Sequence, residues 1–259
     1  MPILADTYYH LYEGGNRLSP PVVLMHGIGG SHLDWPPDIR RLPGYRVYAI
    51  DLPGHGKSRK HSYQSVMGYG KSVLDWLDAA GLYHAVFVGH SLGSAIALYL
   101  GSSYPERVMG LGISSYEKRA VIPGNILEDV THPSTFTRGV QSLVEQYFHP
   151  DANKNHIKTV MQWLTANRPS VLHGDLLACN TFNPNGELSQ IHAPTLIVHG
   201  EADRFVPLRR AQHLADIIPN ARLAIIPGAG YMVALERPQA FAEQLSRFLA
   251  TISFHPGKA

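Results

Sequence analysis

Cysteine is almost absent from this chain of 259 residues, in which Cys179 is the only one. One thiol cannot form an intrachain disulfide or assemble a cysteine-based zinc site. The charges are nearly balanced as well, because the chain has 22 Lys and Arg and 20 Asp and Glu, which gives a net charge of +2. So small an excess does not predict the basic surface that nucleic acids or anionic membranes attract. We expect a cytoplasmic protein that binds a small molecule, with no nucleic-acid or membrane partner.

Long hydrophobic segments are missing too. Residues 1–10 contain no basic stretch followed by an apolar one, so no secretory signal is expected. Residues 79–105 carry no formal charge, but four glycines and two histidines interrupt them. A strand, a tight turn and a buried helix explain this segment better than a membrane span does.

Short apolar runs recur along the chain, and most of them are continuous rather than alternating. They lie at residues 7–12, 22–25, 46–50, 85–88, 108–113, 195–198 and 222–226. Continuous runs are typical of strands that are covered on both faces, as in a parallel sheet. Because helical patterns lie between them, we predict an α/β fold with a mostly parallel, twisted sheet of about eight strands and helices on both faces.

The alternation of strands and helices stops over residues 115–191, where helical patterns occur without a convincing strand. A structureless loop of that length is uncommon inside a compact domain. We therefore predict a helical cap at residues 115–191, inserted into a core domain formed by residues 1–114 and 192–259.

A serine between two glycines follows one of the buried runs. The sequence Gly-His-Ser-Leu-Gly occupies residues 89–93, between the run at 85–88 and a helical pattern of small residues. This context of strand, turn and helix is the one required of a nucleophile elbow, in which glycines permit a sharp turn and the serine hydroxyl is exposed. Ser91 is thus a candidate nucleophile. The alternative is a glycine-rich turn in which the serine caps the helix.

Asp203 follows the run at residues 195–198 and should reach the same carboxyl edge of the sheet, where it can orient a base. Glu201 is a weaker candidate, and a carboxylate that stabilises a turn is the alternative for Asp203. The glycine-rich residues 26–30 do not fit a dinucleotide loop, because position 32 is a histidine. A phosphate-binding loop ending at residue 58 is excluded because it needs glycine where Asp51 stands. No cofactor and no metal site is predicted.

Together these motifs resemble the α/β-hydrolase superfamily, in particular its small serine carboxylesterase and C–C hydrolase branch. In the family's order they are Leu-Met-His-Gly (24–27), Asp-Leu-Pro-Gly-His-Gly-Lys-Ser (51–58), Gly-His-Ser-Leu-Gly (89–93), Gly-Glu-Ala-Asp (200–203) and Pro-Gly-Ala-Gly (227–230). The resemblance implies that Ser91 is the nucleophile and Asp203 the triad acid, and that the backbone N–H groups of Ile28 and Leu92 form the oxyanion hole. It also implies a structural role for residues 51–58, and the serine argues against the haloalkane dehalogenases.

The sequence departs from the family at one position. The residue after the Gly-Ala-Gly turn at 228–230 is the catalytic histidine in this family, but here it is Tyr231. A phenol has an ordinary pKa of about 10, so it is a poor general base at neutral pH. His26, His90 and His255 are the histidines considered as substitutes. His26 and His90 belong to turn motifs, and His255 lies in the C-terminal tail.

Three functions remain open at this point. The first is a serine hydrolase of carboxylic esters, acting through an acyl-enzyme and impaired or redesigned by Tyr231. The second is a non-catalytic ligand-binding protein on the same fold. The third is altered chemistry, a C–C hydrolase or lyase reaction in which Tyr231 donates a hydrogen bond to the substrate. In each case we expect a small-molecule acyl or ester ligand and a monomer or small homo-oligomer.

Overall fold

A sheet of eight strands lies at the centre of the described part of the protein. The structure, a computed structural model, describes residues 2–15, 18–59, 61–116, 123–148, 152–184 and 187–254. Its strands are Ile3–Leu4 (β1), Thr7–Glu13 (β2), Val22–Met25 (β3), Arg46–Ile50 (β4), Ala85–His90 (β5), Val108–Ser114 (β6), Thr195–Gly200 (β7) and Ala221–Ile226 (β8). Its α-helices are Pro37–Arg40 (α1), Val66–Ala79 (α2), Leu92–Ser103 (α3), Gly124–Asp129 (α4), Phe136–Tyr147 (α5), Lys154–Thr165 (α6), Pro169–Thr181 (α7), Leu208–Ile217 (α8), Val233–Glu236 (α9) and Pro238–Leu249 (α10).

The strand order is β1-β2-β4-β3-β5-β6-β7-β8. From β4 onward, each neighbouring pair is parallel, whereas β2 pairs antiparallel with both β1 and β4. Parallel neighbours require crossover connections, which the intervening helices provide. This mostly parallel sheet, surrounded by helices, confirms the predicted fold class.

Helices cover both faces of the sheet, as β3 shows. Its side chains alternate in direction along the strand. Val23 and Met25 pack in the core that includes α2 and α3, while Val22 and Leu24 pack in the core that includes α1 and α10. All four are fully buried, which explains why the sequence of this strand is apolar without interruption.

The inserted helices, α4 to α7, lie between β6 and β7 in the chain. Helices α4, α5 and α6 pack on one another in sequence, and α7 contacts α3 of the core. In α5, Val140, Leu143, Val144 and Tyr147 are buried and share one helical face. Among the described residues of 115–191 there is no strand, as expected. That these helices form a cap over a site stays a prediction.

No helix in the described ranges is long and apolar enough to cross a membrane. The uncharged stretch over residues 79–105 instead contains β5, a tight turn at Ser91 and the helix α3. Strands β5 and β7 run parallel to β6, one on either side of it, and end at His90 and Gly200. The sheet therefore brings Ser91 and the loop that holds Asp203 to the same edge.

Candidate active site

Ser91 occupies the sharp turn between β5 and α3. Its backbone has φ 52° and ψ −110°, in the left-handed half of the map that residues with a side chain rarely adopt. Holding such a conformation costs on the order of 1–3 kcal/mol. The turn closes tightly because a side chain at Gly93 would lie 2.2 Å from the carbonyl oxygen of Met25. This geometry is that of a nucleophile elbow.

Hydrogen bonds from the neighbouring strand hold the elbow in place. The Ser91 N–H donates to the carbonyl oxygen of Ser114 at 3.0 Å. The buried Ser94 hydroxyl accepts the Ser114 N–H at 3.0 Å and lies 2.8 Å from the carbonyl oxygens of Gly89 and Ser114. Ser94 thus connects β5, α3 and β6, a role that the sequence motifs did not predict. The signal in the sequence was a serine in the first turn of α3.

Two backbone N–H groups lie near this turn. Leu92 is the first residue of α3, where backbone N–H groups have no acceptor within the helix and where the helix dipole favours negative charge. The loop after β3 passes beside the elbow, since a side chain on Gly27 would lie 3.4 Å from Cβ of Ser91. Ile28 follows in that loop. The oxyanion-hole role of the Ile28 and Leu92 N–H groups stays a prediction that this placement permits.

Asp203 lies in the loop after β7 and is buried. Its Oδ1 accepts the N–H groups of Phe205 at 2.9 Å and Val206 at 2.8 Å. Its Oδ2 is buried and has no hydrogen-bond partner among the residues that the structure describes. Burial raises the pKa of the Asp203 carboxyl to about 7, and the interactions of Val206, Phe205 and Ser115 with this carboxyl oppose the shift without cancelling it. By distance and angle, Oδ2 accepts no hydrogen bond from the described residues.

Tyr231 stands beside both residues. Its side chain is only 2% exposed, and its hydroxyl is within hydrogen-bonding reach of the Ser91 side chain. Burial raises the pKa of Tyr231 well above 10, and the nearby Asp203 charge adds to this. The Ser115 hydroxyl, also near Asp203, donates its proton to the Tyr231 carbonyl oxygen at 2.8 Å. At neutral pH the phenol is uncharged, so it can donate a hydrogen bond but is a very weak proton acceptor.

Aromatic rings enclose the Tyr231 side chain. It stacks on Tyr147 of α5, with ring centroids 4.4 Å apart and an interplanar angle of 27°. Phe205 and His90 contact it edge-on, with centroids at 4.9 Å and 4.8 Å. Aromatic pairs of this kind contribute about 0.5–1.5 kcal/mol each beyond the area they bury. The tyrosine is thus packed between the core and the inserted helices.

Two cavities meet at Tyr231. One is lined by Ile28, Asp34, His90, Trp163 and Leu164 as well as Tyr147 and Tyr231. The other is lined by Ser91, Ala95, Ser115, Cys179, Val206 and Tyr231. Both are narrow, each with room for about one water molecule, and most of their lining is apolar. Tyr231 therefore separates two small spaces, one beside Ile28 and one beside Ser91.

His26 and His90, the alternative bases in the described ranges, are both buried. His26 is buried, its Nε2 accepts the Leu52 N–H at 2.9 Å, and its Nδ1 lies 2.7 Å from the Gly27 carbonyl oxygen. Both ring nitrogens are therefore engaged, and burial lowers the pKa of His26 to about 4. His90 is kept neutral because burial lowers its pKa to about 4. His255 lies outside the described residues.

Asp51 and Glu201 each accept hydrogen bonds from backbone N–H groups of loops. Asp51 is fully buried; its Oδ1 accepts the His32 N–H at 2.6 Å and its Oδ2 accepts the Lys57 N–H at 2.9 Å. Glu201 is exposed and accepts the Gly228 N–H at 3.2 Å. Within the described ranges, no group of three or more His, Cys, Asp and Glu side chains is arranged to hold a metal ion.

Fold and sequence together define the class. The chain belongs to the alpha/beta hydrolase family, whose sequence model matches residues 22–244. That span includes β3 to β8, the elbow at Ser91, and both Asp203 and Tyr231.

Curated relatives cover nearly the whole chain at low identity. The chain is 27% identical to a protein named carbamate hydrolase RutD from Caulobacter sp. (strain K31), over 95% of this chain and 96% of that protein. It is 28% identical to a pimeloyl-[acyl-carrier protein] methyl ester esterase from Nitrosomonas europaea, over 90% and 96%. It is 27% identical to a 2-hydroxy-6-oxo-6-phenylhexa-2,4-dienoate hydrolase from Burkholderia cepacia, over 95% and 93%. The relatives are thus hydrolases of several kinds.

Solved structures similar to this chain include esterases. A thermophilic esterase superposes with a TM-score of 0.80 at 30% identity and covers 96% of each chain. An esterase from Thermogutta terrifontis superposes with a TM-score of 0.84 at 20% identity, covering 96% of this chain and 94% of the other, which shows the shared fold.

Proposed function

We propose that this protein is a serine hydrolase of carboxylic esters that works through an acyl-enzyme, and that Tyr231 impairs its turnover. The observation that carries the proposal is the buried Asp203 Oδ2, which accepts no hydrogen bond from the described residues, while the Asp203 charge acts on Tyr231 and the Tyr231 hydroxyl interacts with Ser91. In a serine triad that oxygen accepts the imidazole N–H of the base. Esterases among the relatives and solved structures support the ester substrate.

In the proposed chemistry, the Ser91 hydroxyl oxygen attacks the carbonyl carbon of the ester. The carbonyl oxygen becomes negative and is stabilised by the N–H groups of Ile28 and Leu92. A base must take the serine proton and then give it to the departing alcohol, and water must repeat the sequence to release the acid. Tyr231 stands where that base is needed. Because its hydroxyl stays protonated, the serine proton has no good acceptor there.

We assign the inserted helices the role of a cap at residues 115–191, on a core of residues 1–114 and 192–259. Tyr147 of α5 stacks on Tyr231, and Trp163 and Leu164 of α6 line the cavity next to Ile28. Side chains of the inserted helices therefore border the space in which the acyl and alcohol groups would lie. The proposal includes a cytoplasmic, cofactor-free protein, monomeric or a small homo-oligomer.

A second candidate follows from the aromatic packing of Tyr231. Rings of Tyr147, Phe205 and His90 surround it, which favours a site adapted to a tyrosine rather than one that merely lost a histidine. Such a site would bind an acyl compound without turnover, or would use the neutral phenol as a hydrogen-bond donor in C–C bond hydrolysis or a lyase reaction. The C–C hydrolase name of one relative supports testing that chemistry.

The test is to restore the base with Tyr231→His. Removing one triad member costs about 10⁴- to 10⁶-fold in turnover. We therefore expect hydrolysis of p-nitrophenyl butyrate to rise by at least about 10²-fold, since imidazole would find Asp203 on one side and Ser91 on the other. Adding Ser91→Ala should abolish the gain.

Tyr231→Phe is the matched control, because it keeps the ring and removes only the hydroxyl. It should not raise ester hydrolysis. An increase below about threefold for a Tyr231→His variant that is folded by circular dichroism would reject the impaired-hydrolase proposal. Product analysis with a vinylogous diketone then tests the altered chemistry. If Tyr231→Phe loses C–C bond cleavage, the phenol takes part in that reaction.

A further inference from the structure

A buried carboxylate of the inserted helices reaches the loop that carries Ile28. Asp175, on α7, is fully buried, and its Oδ2 accepts the backbone N–H of Gly29 at 2.8 Å. The two residues are 146 positions apart in the sequence. A side chain outside the core thus binds the peptide group that directly follows Ile28.

Two core residues complete the surroundings of this carboxylate. The Tyr69 hydroxyl donates to Asp175 Oδ1 at 2.5 Å, and His55 Nε2 donates to Oδ2 at 2.8 Å. The other ring nitrogen of His55 lies 3.0 Å from the carbonyl oxygen of Pro53. Because both nitrogens face acceptors, this geometry favours the protonated ring. Burial lowers the pKa of His55, but the charge and hydrogen bond of Asp175 outweigh it and raise the pKa.

A second side chain binds Gly29 from the other direction. Asn167, just after α6, donates from Nδ2 to the Gly29 carbonyl oxygen at 2.5 Å. Gly29 has φ +58°, and a side chain on it would lie 2.7 Å from Cδ2 of Leu164. The inserted helices therefore bind both the N–H and the C=O of Gly29. They also leave no space for a side chain at position 29.

We infer that Asp175 and Asn167 are positioning residues for the oxyanion loop, residues 27–30. Only the two backbone dihedrals of Ile28 separate its own N–H from the peptide group that Asp175 binds. Fixing that peptide group limits the directions in which the Ile28 N–H can point. This inference rests on the proposed function, since it assigns Ile28 its oxyanion role.

A merely structural role is the competing explanation. Buried ion pairs are weak evidence for stability, but they can fix the register between packed elements. The two roles differ in what they change. A misplaced oxyanion donor lowers kcat and leaves KM nearly unchanged, whereas a loosened anchor lowers stability alone.

The experiment compares two variants in the active Tyr231→His background. Asp175→Asn removes the charge that binds Gly29, whereas Tyr69→Phe removes a hydrogen bond to the same carboxylate without touching the loop. We expect Asp175→Asn to lower kcat for p-nitrophenyl butyrate by about 10- to 100-fold with little change in KM, and Tyr69→Phe to stay within about threefold. Equal effects of the two variants on kcat would overturn the inference.

A thionoester of the same acid supplies a readout specific to the oxyanion. Sulfur is a weaker hydrogen-bond acceptor than oxygen. An intact oxyanion hole therefore accelerates hydrolysis of the oxygen ester more than that of the thionoester, and a damaged oxyanion hole reduces this preference. The ratio of kcat/KM for the oxygen ester to that for the thionoester should fall in Asp175→Asn and stay constant in Tyr69→Phe. An unchanged ratio in both variants contradicts the inference. If Asp175→Asn does not fold, Asn167→Ala is measured in its place with the same expectations.

Hydrogen exchange separates this inference from the proposed function. If Tyr231→His shows no Ser91-dependent hydrolysis, the proposed function fails. The mobility of residues 27–30 can still be measured in the protein that keeps Tyr231. Exchange of peptides that cover residues 27–30 should then speed up in Asp175→Asn and in Asn167→Ala but not in Tyr69→Phe. Unchanged exchange in the first two variants would overturn the positioning role by itself.

Discussion

The unpartnered carboxylate oxygen of Asp203 has a measurable consequence for stability. The pKa of this carboxyl is raised from 3.8 to about 7 because it is buried. A carboxyl with a raised pKa holds its proton in the folded state at pH values where the unfolded chain has lost it. Its contribution to stability is therefore complete below about pH 4 and is lost as the pH rises through about 7.

The size of the effect follows from the difference between these pKa values. At about 1.4 kcal/mol per pKa unit, it corresponds to about 4 kcal/mol in the free energy of unfolding. Asp203→Asn should abolish this dependence. The amide oxygen can still accept the N–H groups of Phe205 and Val206, and the neutral amide nitrogen resembles the protonated acid. We expect the substitution to be nearly neutral at about pH 4 and to stabilise by about 2–4 kcal/mol at about pH 8.

Urea denaturation followed by circular dichroism at several pH values measures this difference. Some fall in stability should remain in the variant, because burial also raises the pKa of Asp34 to about 7 and that carboxyl acts in the same pH range. The difference between the two proteins isolates Asp203. A difference in unfolding free energy that is the same at pH 4 and pH 8 would show that the pKa of Asp203 is not raised, because the carboxyl has a partner or is hydrated in the folded protein.

Two further substitutions test the elbow. Ser91→Gly should relieve the backbone strain of φ 52° and ψ −110°. In urea denaturation it should therefore be more stable than Ser91→Ala by about 1 kcal/mol, even though glycine gains more freedom on unfolding. A glycine variant less stable than the alanine variant would show that the turn is not strained. Ser94→Ala should lower the free energy of unfolding by about 1–3 kcal/mol, because it leaves the buried Ser114 N–H without its acceptor. A change below about 0.5 kcal/mol would show that Ser94 does not hold the turn.

The sheet and the elbow could be predicted because their signals are local. The buried strand β3 is apolar throughout, and the glycines at 89 and 93 are required where backbone passes within contact of backbone. The approach of Ser91 and Tyr231 followed from the rule that parallel strands end at one edge of a sheet. The short elements β1 and α9 escaped prediction, because two and four residues show no period.

The contacts made by the inserted helices could not be predicted. Asp175 is a single carboxylate on α7, and nothing near it in the sequence indicates that it binds Gly29. The stacking of Tyr147 on Tyr231 likewise depends on how α5 lies against the core. Such pairs are set by tertiary packing between distant segments, which periodicity and composition do not encode.

Trapping the acyl-enzyme tests most directly whether Ser91 is the nucleophile. The Tyr231→His protein is mixed with p-nitrophenyl butyrate, quenched in acid during the first turnover, and analysed by intact-protein and peptide mass spectrometry. We expect one butyryl group, located on the peptide that contains Ser91 and missing when Ser91→Ala is added. Ester hydrolysis without this adduct, or with a butyryl group on another residue that persists in Ser91→Ala, would show that Ser91 is not the nucleophile.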